Sequence, residues 1–290
     1  MTLSILTLNL WHDAGPYVDR VHRIREWIDR LDPDLIAFQE ALRARGRDQV
    51  AELLEDRPYH CDYVCAARMK RTGTDLDEAD FGNALASRWP IADRTELRLP
   101  DGGDGETRAA LSVTVDSPFG LVGLTCTHLN WKFRHGVIRE KQVVAVCDLA
   151  LRHRPRSGFP PLLVGDFNAE PESAEIRYVT GLQSLCGRSV SFLDAWRTGG
   201  DGGPGFTWSN TNDYARPALE PDRRIDYVFA GFPRRDGVGR IECCRVVCND
   251  GRDGIWPTDH FGVYAELRTE ALPGAEREWG LAGGDDVHDI

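Results

Sequence analysis

The chain is predicted to be a one-domain α/β protein, on three observations. Short apolar runs rich in β-branched residues alternate with a few segments of helical period. No Pro-, Gly- or Ser-rich linker divides that alternation. At 290 residues the chain reaches the size of large α/β and β-sandwich domains, and it can bury a sizeable core without disulfides or structural metals.

The elements follow in order. Leu3–Asn9 reads as a strand, and Val18–Leu31 as a helix whose face carries Val21, Ile24, Trp27, Ile28 and Leu31. Leu35–Phe38 is a short buried strand, and Arg47–Leu54 is helical. Cys61–Ala66 and Asn83–Ser87 are strands. Arg108–Asp116 and Leu121–Thr127 flank the turn Ser117-Pro118-Phe119-Gly120. Arg134–His153 is a long helix, Pro160–Val164 leads into a strand that ends at Gly165, and Ala174–Gly181 is a short helix with start signals at Pro171 and Ser173. Phe206–Trp208, Arg224–Phe229, Arg240–Val247 and Phe261–Leu267 are the remaining strands. Gly199–Gly205 and Asn249–Pro257 are loops. The domain is expected to span residues 1–270, with 271–290, Gly- and Asp-rich, as a mobile C-terminal tail.

Composition excludes some functions. A formal net charge of −11 weakens the long-range phosphate attraction that duplex-DNA binders use. It does not exclude a polyanionic substrate, because bound cations and a local basic mouth invert the field at a site. The eight cysteines include no CxxC pair and no Cys/His cluster of zinc spacing, so buried reduced thiols in a reducing compartment are expected. The chain opens directly on a strand pattern without a leader signature, and no apolar stretch approaches the ~20 residues of a membrane helix. A cytoplasmic monomer is expected.

Six segments place a polar or ionisable residue at or just past the end of an apolar run: Leu8-Asn9-Leu10, Phe38-Gln39-Glu40, Thr127-His128-Leu129-Asn130, Gly165-Asp166-Phe167-Asn168, Arg224-Ile225-Asp226-Tyr227 and Thr258-Asp259-His260. Strand ends on one edge of an α/β sheet are where sites form, because rigid strands position groups while loops admit substrate. Singly, each segment has a structural explanation. Asn ends strands, a lone His sits satisfied in a core, Glu40 can pair at the surface, and Gly165–Asn168 can be an Asx turn. Together and in this order they are far harder to explain that way.

That order resembles the endonuclease/exonuclease/phosphatase superfamily, the DNase I-like fold, from Leu3 to Leu267. Phe81-Gly82-Asn83-Ala84-Leu85-Ala86-Ser87-Arg88 is similar to the family's central strand, and Arg139-x-x-Gln142 fits the helix after Thr-His-Leu. The resemblance implies a four-layer α/β sandwich: two packed, mostly antiparallel β-sheets flanked by helices. It also implies a Mg²⁺- or Mn²⁺-dependent phosphodiesterase or phosphatase.

Phosphate esters resist hydrolysis because their charge repels the nucleophile, so catalysis needs charge neutralisation, a positioned water and in-line geometry. Mg²⁺ prefers oxygen ligands and keeps several waters, so one or two carboxylates suffice. Glu40 is the expected ligand, supported by Asn9 and Asp259. As the resemblance implies, Asp166 holds or deprotonates the attacking water. Asn168, two residues on in an extended segment, donates to a phosphate oxygen. His260 adds positive charge and Asp226 orients it. His128 contacts phosphate or donates a proton to the leaving group.

Arg68-Met69-Lys70-Arg71 and Trp131-Lys132-Phe133-Arg134-His135 are placed near the mouth, with Lys132 and Arg134 as substrate contacts. Basic residues beside aromatics suit a phosphate with a stacked base or sugar. Alternatively, Trp131 and Phe133 cover the core. The expected substrate is small or single-stranded, such as a nucleotide or single-stranded nucleic acid. An endonuclease or exonuclease is the alternative, and a non-catalytic binding protein on the same fold is a third reading.

Overall fold

The computed structural model describes residues 1–44, 46–70, 78–103, 105–155 and 158–273. Among the described residues, thirteen strands form two sheets. The first sheet contains β1 (Thr2–Asn9), β2 (Leu35–Ala44), β3 (Arg47–Asp48), β4 (His60–Lys70), β5 (Glu78–Ser87), β12 (Ile241–Val247) and β13 (Gly262–Arg268), in the order β12-β13-β1-β2-β5-β4, with β3 paired to β2. The second contains β6 (Ile91–Arg98), β7 (Ala109–Ser117), β8 (Gly120–His128), β9 (Leu162–Asp166), β10 (Leu193–Asp194) and β11 (Asp226–Ala230), in the order β10-β11-β9-β8-β7-β6. Each sheet has one parallel pair, β1–β2 and β8–β9, and is otherwise antiparallel.

The layering follows from the period-2 alternation of strand side chains. In β1, Leu3 and Ile5 face the opposite sheet, while Leu6 and Leu8 face outward onto Ile24, Trp27 and Ile28 of α1 (Tyr17–Leu31) and Leu53 of α2 (Gln49–Leu54). In β9, Leu162 and Val164 face inward, and Leu163 meets Val143 and Cys147 of α3 (Gly136–Arg152) and Ile176 of α4 (Ala174–Val179). Helices therefore cover both outer faces, and the inner faces share one core. The short α5 (Ala195–Gly199) packs against β11 and β12.

The structure departs from the sequence reading at identifiable places. β6 was not anticipated because it is an edge strand carrying Asp93, Arg94, Glu96 and Arg98 with mostly exposed side chains, a device that blunts sheet edges. Phe206–Trp208 is not a strand. Only Trp208 bridges, to Arg223, while the Thr207 hydroxyl accepts the amides of Ile225 and Asp226. The predicted helix over 47–54 begins two residues late, because Asp48 first pairs with β2 and then caps Val50 and Ala51. The long helix starts as a 3₁₀ turn over Phe133–His135. All eight cysteines are free thiols, but only Cys126, Cys147, Cys244 and Cys248 are buried. Of the expected tail, residues 274–290 lie outside the described residues, whereas Leu272 donates its amide to the Asp236 carbonyl.

β9 runs so close to β8 that Gly165 admits no side chain. Its φ is +133°, and a Cβ there would lie 2.0 Å from the Thr127 carbonyl oxygen. Gly165→Ala is expected to cost about 2–4 kcal/mol from backbone strain and overpacking. Urea unfolding should show a lower midpoint with an unchanged slope.

Candidate active site

The site lies where the inward-facing rows of both sheets change from apolar to polar. In β1 the row Leu3, Ile5, Thr7 ends at Asn9; in β8 the row Val122, Leu124, Cys126 ends at His128. β9 places Asp166 two residues after Val164, and β11 places Asp226 two residues before Val228. His128 and Asp226 both lie in register with Asp166, one on each side. All four residues are buried.

Asp166 is the hub. Its Oδ2 accepts from Asn9 Nδ2 at 3.0 Å, and lies 3.3 Å from His128 Nε2 and 3.9 Å from His260 Nε2. Its Oδ1 accepts the Asn168 amide at 2.9 Å. His260 Nδ1 lies 2.9 Å from Asp226 Oδ2, and Trp208 packs edge-on against the same ring. Asp226 Oδ1 is buried without a hydrogen-bond partner.

Electrostatics separate the two histidines. Burial opposes charge on His260, but Asp226, Asp166 and Asp259 outweigh it and push its pKa up to about 10, so at neutral pH it is an imidazolium. Burial, then the positive Arg108 and His260, hold His128 well below its ordinary value, so it is neutral. Burial and Asp226 push Asp166 up to about 7, against His260, the Asn168 amide and Asn9. Burial and Glu40 push Asp259 up to about 6, against His260, Thr258 and Arg20.

Glu40 reaches the site through a β-bulge. Phe38 pairs with Ala84 and Ala41 with Gly82, so Gln39 and Glu40 together oppose one residue, and Glu40 takes a left-handed φ of 57°. Glu40 is thus mid-strand, not at the strand end that the sequence suggests. Burial raises its pKa, and its electrostatic neighbours are Arg108, His260 and Asp226, with Asn9 as a hydrogen-bond donor.

Asn168 also differs from expectation. Its backbone is left-handed (φ 49°), not extended, and its Nδ2 donates to the Leu129 carbonyl at 3.2 Å. Asp166 does shape the Asx turn here, while its other oxygen faces the histidines. Lys132 lies 3.5 Å from Glu106, and Arg134 is exposed on the 3₁₀ turn. Trp131 and Phe133 are each 55% exposed, so they do not cover the core. Arg68 turns to Asp80; the side chain of Lys70 and all of Arg71 lie outside the described residues.

Two arginines escaped the sequence reading. Arg108 is buried, is gripped by Glu106 Oε1 through Nε (3.0 Å) and Nη2 (2.8 Å), and leaves Nη1 without a hydrogen-bond partner. It precedes β7, whose antiparallel start lies beside the end of β8, so a search of strand ends alone passes over it. Arg20 is fully buried; it stands four residues before Ile24, in register with the buried stripe of α1. That register was the available signal.

The donor set fits a hard divalent cation. The half-buried Glu40 and the buried Asp259 offer carboxylate oxygens and Asn9 an amide oxygen, the hard ligands such an ion prefers. Among the described residues, a different trio, Asp166, Asp226 and His260, has ligand atoms within 4.8 Å of one another. In that trio the imidazolium is already committed to Asp226, which removes a nitrogen lone pair from coordination.

Two packed sheets with helices outside, and carboxylates, amides and imidazoles gathered at one edge between them, define the DNase I-like class of fold. The chain belongs to the Endonuclease/Exonuclease/phosphatase family, whose model matches residues 6–260. Members of that family are divalent-metal-dependent hydrolases of phosphate esters. A solved endonuclease/exonuclease/phosphatase from Beutenbergia cavernae DSM 12333 is 27% identical, with a TM-score of 0.69, over 92% of this chain and 71% of that one. The human Nocturnin catalytic domain with bound sulfate anion shares the fold at 17% identity and a TM-score of 0.70, over 92% of this chain and 94% of that one. D. rerio TDP2 complexed with single strand DNA product does so at 19% and 0.69, over 92% and 99%. No curated protein matches the chain. Among the described residues no helix is long and apolar enough to cross a membrane.

The Asp226–His260 pair makes a prediction for metal-free protein. A histidine whose folded pKa is raised adds stability that is complete below the unfolded value of about 6.5 and is lost as pH rises towards the folded one. Asp226→Asn should lower the His260 titration midpoint, read by NMR, by about 1–3 pH units. Its stability deficit against wild type should be largest below about pH 6.5 and shrink as pH rises to about 10.

Proposed function

We propose that the chain is a divalent-metal-dependent phosphodiesterase or phosphatase in which water attacks phosphorus, on a small or single-stranded substrate. The observation that carries this reading is the buried Asp166 carboxylate, held by Asn9 and flanked by a neutral and a charged imidazole. Near pH 7 it is poised to take a proton from water. His260, fixed by Asp226, sets positive charge beside the oxygens that gather negative charge in the pentacoordinate transition state.

His128 donates from Nε2 to a phosphate oxygen or the leaving group, a role supported by its contact with Asp166, which favours the proton on that nitrogen. Asn168, Lys132 and Arg134 supply further donors to substrate, and Arg108 adds a buried guanidinium beside His128 and Glu40. Glu40, Asn9 and Asp259 hold Mg²⁺ or Mn²⁺, which when bound neutralises the phosphate oxygens. Residues 1–270 acting as a monomeric domain are the proposed unit.

A nuclease acting on single strands is the second reading. Exposed Trp131 and Phe133, with the Arg223 guanidinium 4.6 Å from the Phe133 ring centroid, offer a stacking rim, and D. rerio TDP2 was solved with a single strand DNA product. A metal-supplemented screen over bis-nitrophenyl phosphate, nucleotides, oligonucleotides, sugar phosphates and phospholipid head groups separates the two. Hydrolysis of none of them would leave a binding protein.

Two substitutions test the roles. Asp166→Asn keeps size and hydrogen bonding but removes the base, so kcat should fall roughly 10²–10⁴-fold with little change in KM under saturating Mg²⁺. Normal kcat with a lowered melting point would confine Asp166 to its turn. Glu40→Gln should weaken Mg²⁺ binding in calorimetry and lower activity while the protein stays folded. Unchanged metal affinity would remove Glu40 from the ligand set.

A further inference from the structure

Arg20 carries a full charge into α1 at 0% exposure, and every N–H of its guanidinium is used. Nε donates to Ala14 O at 3.0 Å; Nη1 donates to Leu10 O at 2.9 Å and Pro257 O at 3.1 Å; Nη2 donates to Trp11 O at 3.3 Å and His12 O at 2.9 Å. All five acceptors are backbone carbonyls from two segments. One follows Asn9, and the other ends where Thr258-Asp259-His260 begins.

The first segment is strained. Trp11 and His12 are consecutive non-glycine residues at φ 52° and 37°, a conformation that persists only where its surroundings enforce it. It turns the chain so that its carbonyls converge on the guanidinium. The same turn aims the Trp11 amide at Asn9 Oδ1, 3.0 Å away. With its oxygen accepting there, the Asn9 side chain presents Nδ2 to Asp166 Oδ2 at 3.0 Å. On the other side, Thr258 Oγ1 donates to the Asn9 carbonyl at 2.8 Å, and Asp259 shares the electrostatic field of Arg20.

We infer that Arg20 is a positioning residue for the hydrolysis. By holding the carbonyls of Leu10, Trp11, His12, Ala14 and Pro257 together, it decides which face of the Asn9 amide meets Asp166 and where Asp259 sits relative to Asn9. Its charge alone is not enough, because a lysine ammonium has three donors on a point and cannot span five carbonyls around a planar fork. This inference rests on the proposed roles of Asn9 and Asp166.

The test is a double-mutant cycle with bis-nitrophenyl phosphate and Mg²⁺, using wild type, Arg20→Lys, Asn9→Ala and the double variant, with melting temperatures for all four. Arg20→Lys should remain folded and lose about 10–100-fold in kcat, the scale of a misplaced catalytic group, with KM little changed. Because Arg20 acts through Asn9, the same substitution in the Asn9→Ala background should cost less than about threefold, the signature of coupled sites. Losses that multiply fully, or a lowered melting temperature with normal kcat, would make Arg20 a fold residue only. Should Arg20→Lys melt below assay temperature, Arg20→Gln closes the same cycle, and if neither variant folds the inference is overturned. An inactive wild type would instead overturn the proposed function, so the two failures are distinct.

Discussion

Four carboxylates, those of Glu40, Asp166, Asp226 and Asp259, are held close together in low-dielectric surroundings between two sheets, and much of the local architecture answers that repulsion. Asp166 and Asp226 are direct cross-strand partners on the same inward face, an arrangement that like charges disfavour. Burial pushes the Asp166 carboxyl towards its neutral form. The charge is sustained by the His260 imidazolium, which reaches both, by the Asn9 amide and Asn168 N–H on Asp166, and by Arg108 and Arg20 facing Glu40 and Asp259. Burial still holds Asp166, Asp259 and Glu40 above the ordinary carboxylate range, a cost that a bound divalent cation would offset.

Strand parity explains how the groups arrive together. A strand buried on both faces sends alternate residues to opposite layers, so a polar residue at the end of the inward row faces its counterparts in the other sheet. Asn9, His128, Asp166 and Asp226 obey that rule without exception in their strands. Glu40 breaks it. The parity of Leu35 and Ala37 points Gln39 inward, where it bonds Thr7 and nears Cys126, and would send Glu40 out with Phe38. The bulge restores it to the site by adding one residue, which is why the left-handed backbone sits at Glu40 itself.

This also marks what could be read from the sequence. Residues at the ends of inward rows were legible because an apolar run ending in Asn, His or Asp needs no knowledge of the partner strand. The two-sheet sandwich was legible through the motif order rather than through periodicity. The bulge was not, since Phe38-Gln39-Glu40-Ala41 reads equally as a strand end, and only the pairing to Ala84 and Gly82 shows the extra residue. β6 was lost because an edge strand trades apolar residues for charge. Arg108 was lost because an antiparallel strand brings its beginning, not its end, to the catalytic edge.

The two parallel pairs show the same device twice. α1 returns the chain from β1 to β2, and α3 from β8 to β9, and each helix carries an arginine that reaches back to carbonyls of the loop following the first strand. Arg20 takes those of Leu10, Trp11, His12 and Ala14; Arg139 takes those of Asn130 and Lys132. In each loop an asparagine oxygen accepts an amide two residues on, Asn9 from Trp11 and Asn130 from Lys132. The difference lies in the charge. Arg139 is paired with Glu175 at 2.8 Å, so its field is largely cancelled within the helix layer. Arg20 hydrogen-bonds to backbone carbonyls, and its charge acts on Asp259. The same mechanical clamp therefore acts on geometry alone at the His128 loop, and on both geometry and field at the Asn9 loop.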